Sequence, residues 1–268
     1  MLDVESGILR APRFIPSSAY SVSFLNLNIR KAYDELYNIL YSSNPAMAAQ
    51  MLTPLLPPSP DGQPGLELKS DIIAHLGSQI VIAQSTRKPF SRNSAPTESL
   101  IAVAVNNRRA VEKSLSLLHS KVIAPNNPDA RRGLLGHTIY LVSLPGLPFF
   151  PTGRTPMHPA HPMGGMQAPA GPGVPQMPTW AFTITDTHLI FGAESTVERA
   201  IRRLSSTEAV SVGSAEWFTS ATLPIPSVVG LAYLEDNAAS SEILWWMMKE
   251  TKKSKDKDSS IRNERSIR

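Results

Sequence analysis

The chain has 268 residues, 42% of them hydrophobic and 18% charged, which is enough apolar material to bury one large core or two small ones. Its formal charge of +4 equals that of residues 249–268 alone, eight Lys/Arg against four Asp/Glu, so the body is neutral and carries no basic footprint for nucleic acid. There is no cysteine, which excludes disulfides, thiolate metal sites and cysteine nucleophiles.

Residues 1–14 read as an N-terminal extension without the basic and apolar regions of a signal peptide. The domain itself is expected over 15–248. Tyr20 to Leu27 reads as a strand, and Ile29, Tyr33, Leu36 and Leu40 then fall on one helical face. A Pro-rich connector over 54–64 leads to a short helix around 71–76, which Gly77 ends before a strand over 79–84. Leu100 to Val105 is a continuous apolar strand, and Val111, Leu115, Leu118 and Val122 mark the next helical face. Asn28-Ile29-Arg30-Lys31 returns as Asn106-Asn107-Arg108-Arg109, each time directly after a strand. That points to an internal strand-helix duplication with an Asn cap in each copy. The basic pairs Arg30-Lys31 and Arg108-Arg109 are either a solvated face or two equivalent anion contacts.

His137 to Leu144 reads as a strand. From 145 to 178 there are ten prolines, six glycines and no acidic residue, the composition of a disordered Pro/Gly/Met-rich loop. Its Met157, His158, His161, Met163 and Met166 are thioether and imidazole donors without a competing carboxylate, a set that suits Cu(I). Trp180, Phe182 and Ile184 alternate with small residues and turn back at Asp186 to His188, a hairpin with one buried face. Ser195 and Glu198 have the spacing of a capping box on a helix whose apolar face is Val197, Ala200, Ile201 and Leu204. A short helix around Trp217 stops at Leu223-Pro224-Ile225-Pro226, a strand follows over 228–234, and Asp236 or Asn237 caps a last helix through Met248. Ile243 to Met248 is apolar all round a helix. It fits a core helix or an interfacial anchor built on Trp245 and Trp246. Residues 249–268 read as a basic disordered tail.

The elements do not alternate regularly between strand and helix. Adjacent strands and the hairpin favour an α+β fold, with an antiparallel or mixed sheet and helices on one face. No local signature of hydrolysis, nucleotide binding or a cofactor is present. An enzyme with dispersed catalytic residues stays open.

Three segments together carry a family likeness. They are Leu66 to Gly77 before an apolar strand, the hairpin Trp180 to Ala193 followed by Val197 to Ile201, and Ala215 to Pro224 before Leu231 to Asp236. They resemble an uncharacterised bacterial family of exported proteins, of the domain-of-unknown-function type, over residues 15–240. The resemblance implies an extracytoplasmic α+β protein without established activity or catalytic residues. The expectation is a non-enzymatic envelope or surface scaffold that binds a protein, polymer or envelope component, not nucleic acid. Membrane association would come through a preceding segment or Trp245/Trp246. The alternatives are copper handling by the Met/His loop and an unrecognised enzyme.

Overall fold

The computed structural model describes residues 3–59, 65–90, 96–125, 127–142 and 179–266, with side chains to 250 and at 252. The expected metal ligands Met157, His158, His161, Met163 and Met166 lie outside the described residues.

Alternation along the strands decides the layers. In β2 (Ala19–Asn26), Val22 and Phe24 are fully buried while Ser23 and Leu25 take the opposite face. The same rows continue across β3 (Leu76–Thr86) and β4 (Thr97–Val105), because Val22 pairs with Ala83 and Ala83 with Leu100. They run on into the hairpins β5 (Arg131–Leu134) with β6 (His137–Val142), and β7 (Trp180–Ile184) with β8 (His188–Ala193). With β10 (Leu231–Glu235) they form one antiparallel eight-stranded sheet in the order β10-β2-β3-β4-β8-β7-β6-β5. β1 (Gly7–Ile8) and β9 (Val228–Val229) make a separate two-stranded sheet.

The first face of the large sheet carries the main core. Val22, Phe24, Val81, Ala102, Ile190 and Ile139 lie under Val197, Ala200 and Ile201 of α5 (Glu194–Ser205) and Phe218 of α6 (Glu216–Thr222). The stretch read as an extension is stitched into this body. Phe14 and Ile15 are core residues, and the buried Asn26 amide donates to the Val229 carbonyl at 2.7 Å while its own carbonyl accepts from Glu5. A Cβ on Gly7 would come within 2.2 Å of the Asn26 side chain, so only glycine lets β1 lie this close.

The α+β class and the antiparallel sheet are as the sequence led us to expect. Helices, however, occupy both faces. α4 (Arg108–Leu118) and the π-helical turn His119–Ile123 place Val111, Leu115 and Ile123 on Tyr140, Phe182 and Ile184 of the second face. α1 (Ile29–Ser43) and α2 (Pro45–Leu52) form a hairpin tied by the Tyr33 hydroxyl to the Met51 carbonyl at 2.5 Å, and Tyr33 is the one buried residue of α1. The repeated motif shares cap chemistry but not register. Asn28 caps α1 by accepting from the Lys31 amide, whereas Asn107, not its counterpart Asn106, caps α4. The structure therefore does not confirm a duplication.

The capping box on α5 does not form. The helix begins one residue early, Ala193 stands at the cap without a side-chain bond, and the Glu194 amide donates to the Thr179 carbonyl instead. Glu198 turns outward with Glu194 to hold Arg132 of β5. At the other end, Asp236 caps α7 (Asn237–Ser266) by accepting from the Ala238 and Ala239 amides. This helix spans the stretch read from sequence as a tail.

Candidate functional site

The second sheet face is finished at one end and bare at the other. Under α4, Tyr140 and Phe182 stack at 4.7 Å, and His119 meets both rings edge-on while its Nε2 lies 2.8 Å from the Leu141 carbonyl oxygen. Across β10, β2, β3 and β4 the rows continue, and among the described residues no helix covers them. One is Tyr233, Ser23, Ile82 and Ile101; the next is Leu231, Leu25, Ile80 and Val103. Leu231 is 68% exposed, Tyr233 60%, Ile82 39% and Ile101 37%. Scattered exposed apolar side chains are ordinary, but rows of them on neighbouring strands form a patch of the kind that marks interaction surfaces.

Charge along this patch is confined to its rim. Glu235 ends β10 and accepts from the hydroxyls of Ser240 and, at 2.8 Å, Tyr233. Those two bonds, Ser240 first, hold the Glu235 carboxyl below its ordinary value, and the bond to Glu235 pushes the Tyr233 phenol up. Tyr20 donates to Gln84 at 2.6 Å, and burial raises its phenol as well. Along the four strands the two apolar rows contain no Lys, Arg, Asp or Glu.

The helix α7 leaves the sheet beside this rim. Ile243 is buried and Trp246 lies 5.3 Å from the Phe90 ring, while Lys88 bonds Glu242 at 2.7 Å. Leu244, Trp245 and Met248 face solvent, and the Lys249 ammonium sits 4.6 Å from the Trp245 ring centre. The run thus divides between the two sequence readings. One side is packed, and the other, with Trp245, is exposed apolar surface. No helix among the described residues is long and apolar enough to cross a membrane.

The basic pairs of the repeated motif do not form two equivalent anion contacts. Arg30 donates to the Ala74 carbonyl at 3.3 Å and Lys31 pairs with Asp3 at 2.9 Å, whereas Arg108 holds Asp186 and, at 3.5 Å, Glu112. The scattered histidines do not converge either, and the described residues contain no group of three or more His, Asp or Glu placed to hold a metal ion. His188 packs edge-on against Phe14 at 5.2 Å, and burial lowers its pKa.

Sequence reasoning missed Ile82, Ile101, Leu231 and Tyr233. A continuous apolar strand such as Leu100 to Val105 reads as buried on both sides, and the register that puts Ile101 on an uncovered face depends on strands 80 residues away or more in the chain, such as β8. Comparison of the chain with protein-family models, curated proteins and solved structures finds no match.

Proposed function

We propose that this protein is a non-enzymatic scaffold or binding protein of the cell envelope or surface, and that its binding face is the open half of the sheet. The observation that carries the reading is the exposure of Leu231, Tyr233, Ile82 and Ile101 in neighbouring strands of one face. The envelope location rests on the family resemblance.

The occupant that best fits this face is a second copy of the chain. A twofold contact sets a patch against its own copy, so a patch of one charge sign would repel itself, and these rows carry no charge. The sheet edges point the same way. β5 ends one edge with Arg131 and Arg132, which discourage pairing, while β10 ends the other with Leu231-Ala232-Tyr233-Leu234-Glu235 and neither Lys nor Pro.

Sedimentation velocity over a wide concentration range tests this. The mass should rise from monomer to dimer, and Tyr233→Lys and Ile101→Lys should each hold it at monomer with an unchanged circular dichroism spectrum. A wild-type chain monomeric throughout, or a lysine variant that still dimerises, overturns self-association through this face. Recovery of the native protein in the soluble cytoplasmic fraction overturns the envelope assignment.

A further inference from the structure

On the opposite face, a cleft of about 200 Å³ opens between the ends of β3 and β4 and the outer side of α5. Its floor is apolar, from Phe14, Ala83, Leu100 and Ala200. Its walls hold Glu98, Arg87, Lys88, Arg199 and Arg203. One carboxylate faces four cations.

Their pairing leaves positive charge over. The Glu98 side chain is only 10% exposed. Its Oε2 takes Arg199 and, at 3.2 Å, the Thr196 hydroxyl, while Arg87 stands 3.6 Å from Oε1, which has no hydrogen bond. Lys88 is drawn off by Glu242. Arg203 donates to the Val210 carbonyl at 3.0 Å, a neutral partner. Glu98 can balance one of the three arginines, so two guanidinium charges remain at the cleft. The crowding registers on Arg199, whose pKa is lowered first by burial and then by Arg87 and Arg203. Cations in the last turn of α5, Arg202 and Arg203, are favoured there by the helix dipole alone. That account does not extend to Arg87, which comes from a strand end, or to Arg199 a turn earlier.

We propose that this cleft is a binding site for a small organic carboxylate, its anionic end held by Arg87 and Arg203 beside Arg199, and its short apolar body laid on Phe14 and Leu100. Guanidinium groups bind carboxylates by charge-assisted bonds, and a site with two unbalanced guanidinium charges above an apolar floor selects charge and a hydrocarbon stem together. The volume corresponds to roughly seven waters at about 30 Å³ each, which suits an acid of four to six carbons. Glu98 is a built-in competitor for the same arginines.

The test is titration calorimetry of the intact chain with pentanoate, pentanamide and inorganic phosphate. Pentanoate should bind, and the neutral amide should not. Arg87→Gln should weaken pentanoate by about tenfold, the usual loss for one charged hydrogen-bonding partner. Glu98→Gln should do the reverse and tighten it several-fold, because the competitor is removed, and a merely structural role for Glu98 would not produce that sign. Thermal unfolding of both variants checks that each is folded. Equal binding of pentanoate and pentanamide, phosphate binding as tightly as pentanoate, or weaker binding in a folded Glu98→Gln variant would each overturn the proposal. The readout is independent of dimerisation, so this site and the open face can fail separately.

Discussion

The two halves of the second sheet face are built from the same kind of strand and end in different states. Beneath α4, Phe182, Tyr140 and Ile184 are buried, and a histidine closes over the rings with its nitrogen against a backbone carbonyl. Two and three strands from Phe182, Ile101 and Ile82 occupy the same row and meet solvent. Strand chemistry is alike in both, so what differs is the cover. The chain supplies α4 with Val111 and Leu115 for one half, while α1, the corresponding helix after β2, buries Tyr33 and leaves Leu36, Ile39 and Tyr41 exposed. A sheet face is stabilised by what lies on it, so any further burial of the half without a helix would have to come from another molecule.

The largest test of that contrast is truncation within the covered half. Phe182→Ala removes a ring stacked on Tyr140 and in contact with His119, and should cost about 3–5 kcal/mol in denaturant unfolding. The matching change in the open half, Ile82→Ala, should cost only about 1 kcal/mol in dilute solution, because the side chain is smaller than Phe182 and already 39% exposed. A similar cost at the two sites would break the comparison.

A second, smaller effect separates the main core from both halves of this face. His188 sits against Phe14 with its pKa lowered by burial, so the native state favours the neutral ring. As pH falls below about 6.5 the unfolded chain binds a proton that the folded chain does not, and stability declines until the native pKa is passed. The unfolding midpoint should therefore drop on acidification through this window. His188→Asn should remove that part of the slope, while Ile82→Ala should leave it intact.

Much of the framework was legible in the residues. The strands at 20–27 and 100–105, the hairpin at 180–191 and the helices after Asn28 and Asp236 are where alternation and caps put them, while α4 keeps its expected apolar face but takes Asn107 in place of Asn106 as its cap. What escaped were elements whose reason lies elsewhere in the chain. β1 exists because Gly7 can lie on Asn26 and pair with Val229, a partner over 200 residues away. β5 turns into β6 through Leu135 and Gly136, both at positive φ, where the sequence offers no Asn-Gly or Asp-Gly signal. The capping box failed because the correct spacing of Ser195 and Glu198 does not fix where a helix begins when a neighbouring carbonyl, that of Thr179, takes the first amide. The open face and the arginine cleft are both products of strand register, and no local pattern encodes register between distant segments. The charge of the cleft was hidden for a further reason. Arg87, Arg199 and Arg203 are diluted by acidic residues along the chain and become an excess only when folded around the single carboxylate of Glu98.

The finest test compares the helix that covers the sheet with the helical hairpin that does not. Asn107 caps α4 and Asn44 caps α2, each side chain accepting one amide at 3.2 Å, so replacing either with alanine removes the same bond. Loss of such a cap costs about 1 kcal/mol where the helix is coupled to the rest of the fold. α4 is coupled, since Val111 is fully buried in the second core and its unfolding would expose Phe182 and Tyr140. Asn107→Ala should therefore lower global stability by about that amount, and speed amide exchange across β6, β7 and α4 together. α2 buries only Ala48 and lies in the α1 hairpin, away from any shared core. Asn44→Ala should speed exchange over residues 45–52 and leave the global unfolding midpoint unchanged. Equal global losses from the two variants would mean that the α1–α2 hairpin is part of the cooperative unit, and the open half would then have to be seen as covered in solution by the chain's own helices, leaving no face for a second copy.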